Sequence, residues 1–185
     1  MFRVEYAILS NEKNRLKQVE KIALFEEQLD EIEGQIYIMC NKNEIGFVDE
    51  SIPYEGEFLV TWLSLLNSVI LHLNSYGYFA MLRPDSADVW LEFKLMNEVV
   101  QVSKIKTLKE HEDFIMTKFI ENKKVFWSEN IDKSELFQEV LEKTEAFIQE
   151  VYSINKILVE SRRIKRLINT FQMAKDNVCI NLLEK

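Results

Sequence analysis

Glycine and proline are scarce, four and two among 185 residues, which leaves no room for long flexible linkers, low-complexity stretches or a solenoid repeat. The glycines at 34, 46, 56 and 77 are also isolated from one another. A loop that cradles phosphate needs glycines close together so that backbone N–H groups converge on the anion, so Walker, dinucleotide-binding and kinase patterns are excluded. No GxSxG elbow is present.

Histidine and cysteine are equally thin, with two of each. His72 lies toward the end of an apolar stretch and is expected to serve the core or a helix terminus. His111, in Lys-Glu-His-Glu-Asp, reads as a solvated surface residue, and neither sits at HExxH or any other metal-ligand spacing. Cys40 and Cys179 are far apart and form no CxxC, so the expectation is free thiols in a reducing compartment. The sequence thus offers no catalytic, cofactor-binding or metal-ligating constellation. Carboxylate pairs such as Glu26 with Glu27, or Asp85 with Asp88, are what an acidic chain produces in turns and on solvated faces.

Long apolar runs are missing too. The longest, residues 58–73, contains Asn67, Ser68 and His72 and is shorter than the about 20 residues that cross a bilayer. The opening MFRVEYAIL has no basic region followed by a long apolar one, so a cytoplasmic chain is expected.

Apolar material is plentiful: 47% of residues are hydrophobic, sufficient for a core in a single domain spanning 1–185. Phe2, Val4, Tyr6 and Ile8 alternate with Arg3 and Glu5, the period of a half-buried strand. Residues 11–33 are charge-dense; Leu16, Val19, Ile22 and Ala23 have helical spacing, and a loop with a single helical turn fits as well. Residues 35–40 and 44–49 flank Asn41-Lys42-Asn43 as a hairpin. Phe58, Trp62, Leu65, Leu66, Val69, Ile70 and Leu73 recur at three and four residues, predicting a helix that stops near Gly77.

A strand over 78–83 precedes a second hairpin, 89–95 and 99–105 around Met96-Asn97-Glu98. In it Leu91, Phe93 and Leu95 oppose Glu92 and Lys94, which predicts one wet face. Residues 107–120 read as mixed helix and irregular chain, and Val125-Phe126-Trp127 as a short edge strand. Asp132 with Glu135 three residues on resembles a capping box opening a long helix. Residues 153–155 either divide it from a second helical run or let one helix continue through. The pattern predicts an α+β fold: an antiparallel sheet built from hairpins, packed by one central helix and long C-terminal helices.

Charge gives two candidate surfaces. The formal net charge of −8 argues against nucleic acid and favours a basic protein partner. Acidic residues concentrate at Glu26, Glu27, Asp30, Glu31 and Glu33 and again at Asp49, Glu50, Glu55 and Glu57. These would make one negative docking surface if the hairpin brings them together, or simply a solvated face. Arg162, Arg163, Lys165 and Arg166 form a basic cluster that could read phosphate or acidic peptides, although cations toward a helix C-terminus also simply complement its dipole.

The segments EFLVTWLSLLNSVILHL, PDSADVWLEFKLMNEVVQVSKI and SELFQEVLEKTEAFIQEV follow one another over residues 57–152. In this helix, hairpin and capped-helix order the chain resembles small α+β immunity proteins of bacterial polymorphic-toxin and contact-inhibition systems. The resemblance implies a protein that blocks a toxin domain by direct binding, without catalysis or cofactor of its own. It carries over no binding residue by position. The alternative is a structural or regulatory module that pairs through its C-terminal helices, with Leu167 and Phe171 as the contact; an enzyme assembled from His72 and scattered carboxylates is a third.

Overall fold

The computed structural model describes residues 1–28, 30–53, 56–84, 86–108 and 113–183. The alternating N-terminus forms β1 (Phe2–Ala7), antiparallel to β2 (Glu33–Cys40) in the register Phe2↔Cys40 to Ala7↔Gln35. β2 reverses at Asn41, which holds the left-handed φ of 54° that Asn tolerates, into β3 (Asn43–Gly46). The two-residue β4 (Glu57–Phe58) pairs with the start of β2. Between β1 and β2 the charge-dense stretch folds as α1 (Ser10–Lys17) and α2 (Ile22–Gln28). Only Leu16 of its four apolar positions is fully buried, while Val19 and Ile22 pack against the core and Ala23 is exposed.

α3 (Leu59–Tyr76) ends where expected: Gly77 takes φ 68° and its N–H returns to the Leu73 carbonyl at 2.9 Å. The chain then enters a second sheet made from β5 (Tyr78–Leu82), β6 (Val89–Met96), β7 (Val99–Thr107), β8 (Ile115–Met116) and β9 (Lys123–Asp132). The strand order is β8-β5-β6-β7-β9, antiparallel throughout, with Asn97 at φ 59° in the β6–β7 turn. The class is α+β, but the strands divide into two sheets rather than one. α3 stands in the chain between them and touches strands of both.

One core joins these layers. Trp62, Leu66 and Ile70 of α3 meet Ile36 and Ile38 of β2, Phe79 and Phe93 of the second sheet, and Phe147 and Leu167 of the last helices. Truncating Trp62, fully buried, would cost about 3–5 kcal/mol.

α4 (Lys133–Ile154) starts without a loop, because Asp132 is both the last residue of β9 and the N-cap, accepting from Ser134 N at 2.9 Å and Glu135 N at 3.1 Å. Only half of the expected capping box forms. Glu135 accepts from Phe2 N at 2.6 Å instead, tying α4 to β1. Extended Asn155 divides the helical region; a 3-10 turn (Lys156–Glu160) leads into α5 (Arg162–Leu183). Leu167 and Phe171 are buried within this chain, so the contact suggested for a helical dimer is already used internally.

Candidate functional site

α3 and α5 open in the same neighbourhood, and the first amides of a helix need acceptors. Phe58 at the N-cap of α3 supplies no side-chain acceptor, so Glu31, arriving from the lead into β2, fills the place. Its carboxylate accepts from Val60 N at 2.8 Å, Thr61 N at 3.2 Å, Thr61 Oγ1 at 2.7 Å and Arg163 Nη1 at 3.0 Å. Glu31 is 1% exposed; burial pushes its pKa up, against the pull of the Thr61 hydroxyl, the amides and Arg163. Glu26 does the corresponding job for α5, accepting from Arg162 N at 2.8 Å and facing the Arg162 guanidinium at 3.2 Å.

The acidic residues therefore do not gather on one open face. Asp30 is buried at a φ of 51°, and Glu33 is half-buried in β2 with its N–H held by Glu12. Asp49 binds Ser51 N and Oγ in its own turn. Glu27 and Glu50 are exposed, Glu57 accepts from the Trp62 indole at 2.7 Å, and Glu55 lies outside the described residues, as do Asp85 and His111. The basic cluster is also reversed in place. Arg162, Arg163, Lys165 and Arg166 occupy the beginning of α5, where the helix dipole opposes cations, and Glu26, Glu31 and Glu160 offset them.

The second sheet departs further from expectation, because its supposed wet face is covered. Residues 113–122 cross it, and Tyr78, Ala80, Leu82, Trp90, Ile105 and Ile120 form a second small core there. Glu92, 1% exposed, lies in this layer with Lys94 Nζ at 3.1 Å, the Lys123 ammonium in contact and Tyr78 Oη donating at 2.8 Å. Tyr78 Oη in turn accepts from Ile120 N at 3.2 Å, fastening the crossing segment to β5. Burial lowers the pKa of Lys123, and burial followed by Glu92 raises that of Tyr78. The cue lay in β5: Tyr78–Leu82 is buried at every position and shows no alternation, the mark of a strand covered on both sides.

Leu108, Phe114, Ile115, Phe119, Val125 and Phe126 are exposed, three of them within residues 113–122 themselves; Phe114 stands at 71% and Leu108 at 70%. Ile115 belongs to the β8 edge of the sheet, and Val125 and Phe126 to the opposite β9 edge; large apolar side chains left in solvent beside an open strand edge are candidates for an interface. Lysines border them: Lys94 and Lys123 lie over the Phe119 ring, and Lys104 and Lys124 lie 5.8 and 5.4 Å from the Phe126 centroid.

The outer strands of the two sheets differ in how their edges are closed. On β1, Phe2 N and Val4 N are capped by Glu135 and Glu139 at 2.6 and 2.8 Å. On β9, Asn41 reaches the Asn130 carbonyl at 3.3 Å, and Asn41 and Asn43 hold the Glu129 carboxylate at 3.0 and 2.7 Å, which lays the β2–β3 turn against the C-terminal half. Among the described residues no strand pairs along the rest of that edge. An unpaired row of N–H and C=O groups is a template for another strand. The sequence showed Val125-Phe126-Trp127 as an edge, but not the length of β9, the bulge opposite Lys104/Ile105 or the lysines gathered beside it.

Two open hollows flank Val19 and Glu20. One of about 550 Å³ is lined by Tyr152, Ile157 and Val159, the other of about 280 Å³ by Arg15, Leu24 and Phe25. His72 is absorbed in packing, stacked on Phe79 at 5.0 Å and Tyr76 at 5.6 Å, and burial lowers its pKa. Cys40 is buried, its thiol pushed up to about 12 chiefly by burial; Cys179 is exposed, and both are free. Among the described residues no group of three or more His, Cys, Asp or Glu is placed to hold a metal ion, and no helix is long and apolar enough to cross a membrane. Compared with known proteins, the chain matches no family model, no curated protein and no solved structure.

Proposed function

We propose that this chain is a non-enzymatic binding protein of the immunity kind, which neutralises a bacterial toxin domain by direct contact. The carrying observation is the unpaired N-terminal half of β9, where Val125 and Phe126 stand in solvent and Lys104 and Lys124 lie over the Phe126 ring. Such groups are easiest to account for as one half of an interface. The helix, hairpin and capped-helix order of residues 57–152 supports the immunity reading in particular.

The acidic residues first expected to receive a basic partner contribute less to this reading, since Glu26, Glu31 and Asp49 already serve backbone amides. The test is co-expression with whatever protein the neighbouring gene encodes, scored first for toxicity on its own. The expected result is restored growth and a complex that co-purifies. Continued toxicity together with the absence of any complex would overturn the reading.

A further inference from the structure

We infer that the open N-terminal half of β9, with Phe126 and the lysines Lys104 and Lys124 beside it, takes an extended acidic segment of a partner protein as an additional strand. This deepens the reading of the chain as a binding protein and rests on it.

The first ground is the contrast between edges. β1 is closed by two glutamates from α4, β3 is four residues long, and β4 and β8 have two each. β9 has ten residues, and its covered part ends at Glu129 and Asn130, so residues 123–128 present backbone groups without a neighbouring strand among the described residues. Proteins usually shield an edge of this length. Here the shield stops halfway.

The second ground is charge. Lys106 is held by Asp88 at 2.6 Å and Lys123 by Glu92, whereas Lys104 and Lys124 contact only the Phe126 ring among their recorded partners. Two cations without carboxylates favour a partner with carboxylates at those positions, a local attraction that works against the repulsion of a chain whose net charge is −8. An aromatic ring between lysines also suits a single-stranded nucleic acid. The peptide is favoured because a strand edge offers alternating backbone donors and acceptors, which another polypeptide strand matches in register and a nucleic acid does not. The bulge at Phe126 brings the centroid of that ring within 5.8 Å of both ammonium groups, so an incoming strand would place an apolar residue near Phe126 and acidic ones toward Lys104 and Lys124.

The probe is a short fluorescein-labelled peptide alternating Glu and Val, titrated in low salt. Three controls accompany it: the same peptide N-methylated at alternate residues, one alternating Lys and Val, and oligothymidylate. Saturable binding of the Glu/Val peptide is expected. Lys124→Glu or Phe126→Ser should weaken it by about fivefold or more, and N-methylation should abolish it, because methylated amides cannot donate. Both substitutions are at exposed positions, and unchanged thermal unfolding would show that the variants fold.

No binding of the Glu/Val peptide, equal binding of the N-methylated form, or tighter binding of the Lys/Val peptide or oligothymidylate would each overturn the inference. So would a dimer of this chain that Phe126→Ser dissolves, since the occupant would then be a second copy. The two claims remain separable. If the wild type neutralises its toxin and Lys124→Glu does so equally well, the edge is the wrong surface and the immunity reading stands. If the peptide binds as described and no toxin is neutralised, the edge stands and the immunity reading falls.

Discussion

The stretch around Glu31 and the end of the second sheet around Phe126 are both rich in charge, yet they use it in opposite ways. At Glu31 one buried carboxylate joins the first turn of α3 to Arg163 at the start of α5. At Phe126 two lysines rest on an exposed ring with no recorded carboxylate partner. Charge at the first site holds the fold together, whereas charge at the second is left for something outside the chain. The comparison can be tested by substitutions that separate stability from binding.

The largest effect is expected at Glu31. Replacing it by Ala strands two helix amides, the Thr61 hydroxyl and Arg163 together, so unfolding in urea should show a loss of about 3 kcal/mol with little change in slope. A loss below about 1 kcal/mol would break the contrast at its stronger end.

Glu92 comes next. Glu92→Leu leaves Lys123 in the layer beneath residues 113–122 without its carboxylate and should cost about 2 kcal/mol. The double variant Glu92→Leu with Lys123→Met should lose less than the two single losses combined, a coupling that a double-mutant cycle reads directly. Asp132→Ala removes the cap shared by Ser134 and Glu135 amides, and about 1 kcal/mol should follow in thermal or urea unfolding.

A smaller effect concerns pH. Because burial raises the pKa of Glu31 above its ordinary 4.5, the unfolded chain releases this proton first as pH climbs past that value. Stability from this group is therefore highest below 4.5, falls as pH rises, and levels off once the folded carboxyl has also ionised. Glu31→Gln lacks this titration, so its deficit relative to the wild type should narrow with rising pH in stability curves measured from pH 4 upward. A deficit that widens would reverse the assigned cause.

The smallest change in stability belongs to Lys124→Glu and Phe126→Ser, within about 0.5 kcal/mol of the wild type. Those same substitutions should weaken binding by about fivefold or more. A stability loss comparable to that of Glu31→Ala would show that this end of the sheet also serves the fold.

Much of the architecture could be read from the chain because its signals are local. The apolar spacing of 58–73 with Gly77 behind it, the Asn-bearing turns at 41 and 97, and Asp132 before a helix are each complete within a few residues. The site was less legible. Whether Glu31 lies in solvent or under a helix depends on Val60 and Arg163, 29 and 132 residues away. Glu92 looked solvent-facing because its neighbours alternate, but the layer over it comes from residues 113–122, which carry no regular period. The lysines at 104 and 124 meet at Phe126 only once β7 and β9 pair.

Asp132 carries one further consequence. With no loop between β9 and α4, tension along the strand passes to the helix without slack, and Glu135 and Glu139 pass it on to β1. Pulled from the N-terminus, the chain would give way at these side-chain clasps and the β1–β2 ladder before the second sheet is loaded. Pulled through β9, the same clasps would bear the load together with the β7–β9 ladder, so the molecule should resist extension more strongly there than at its N-terminus.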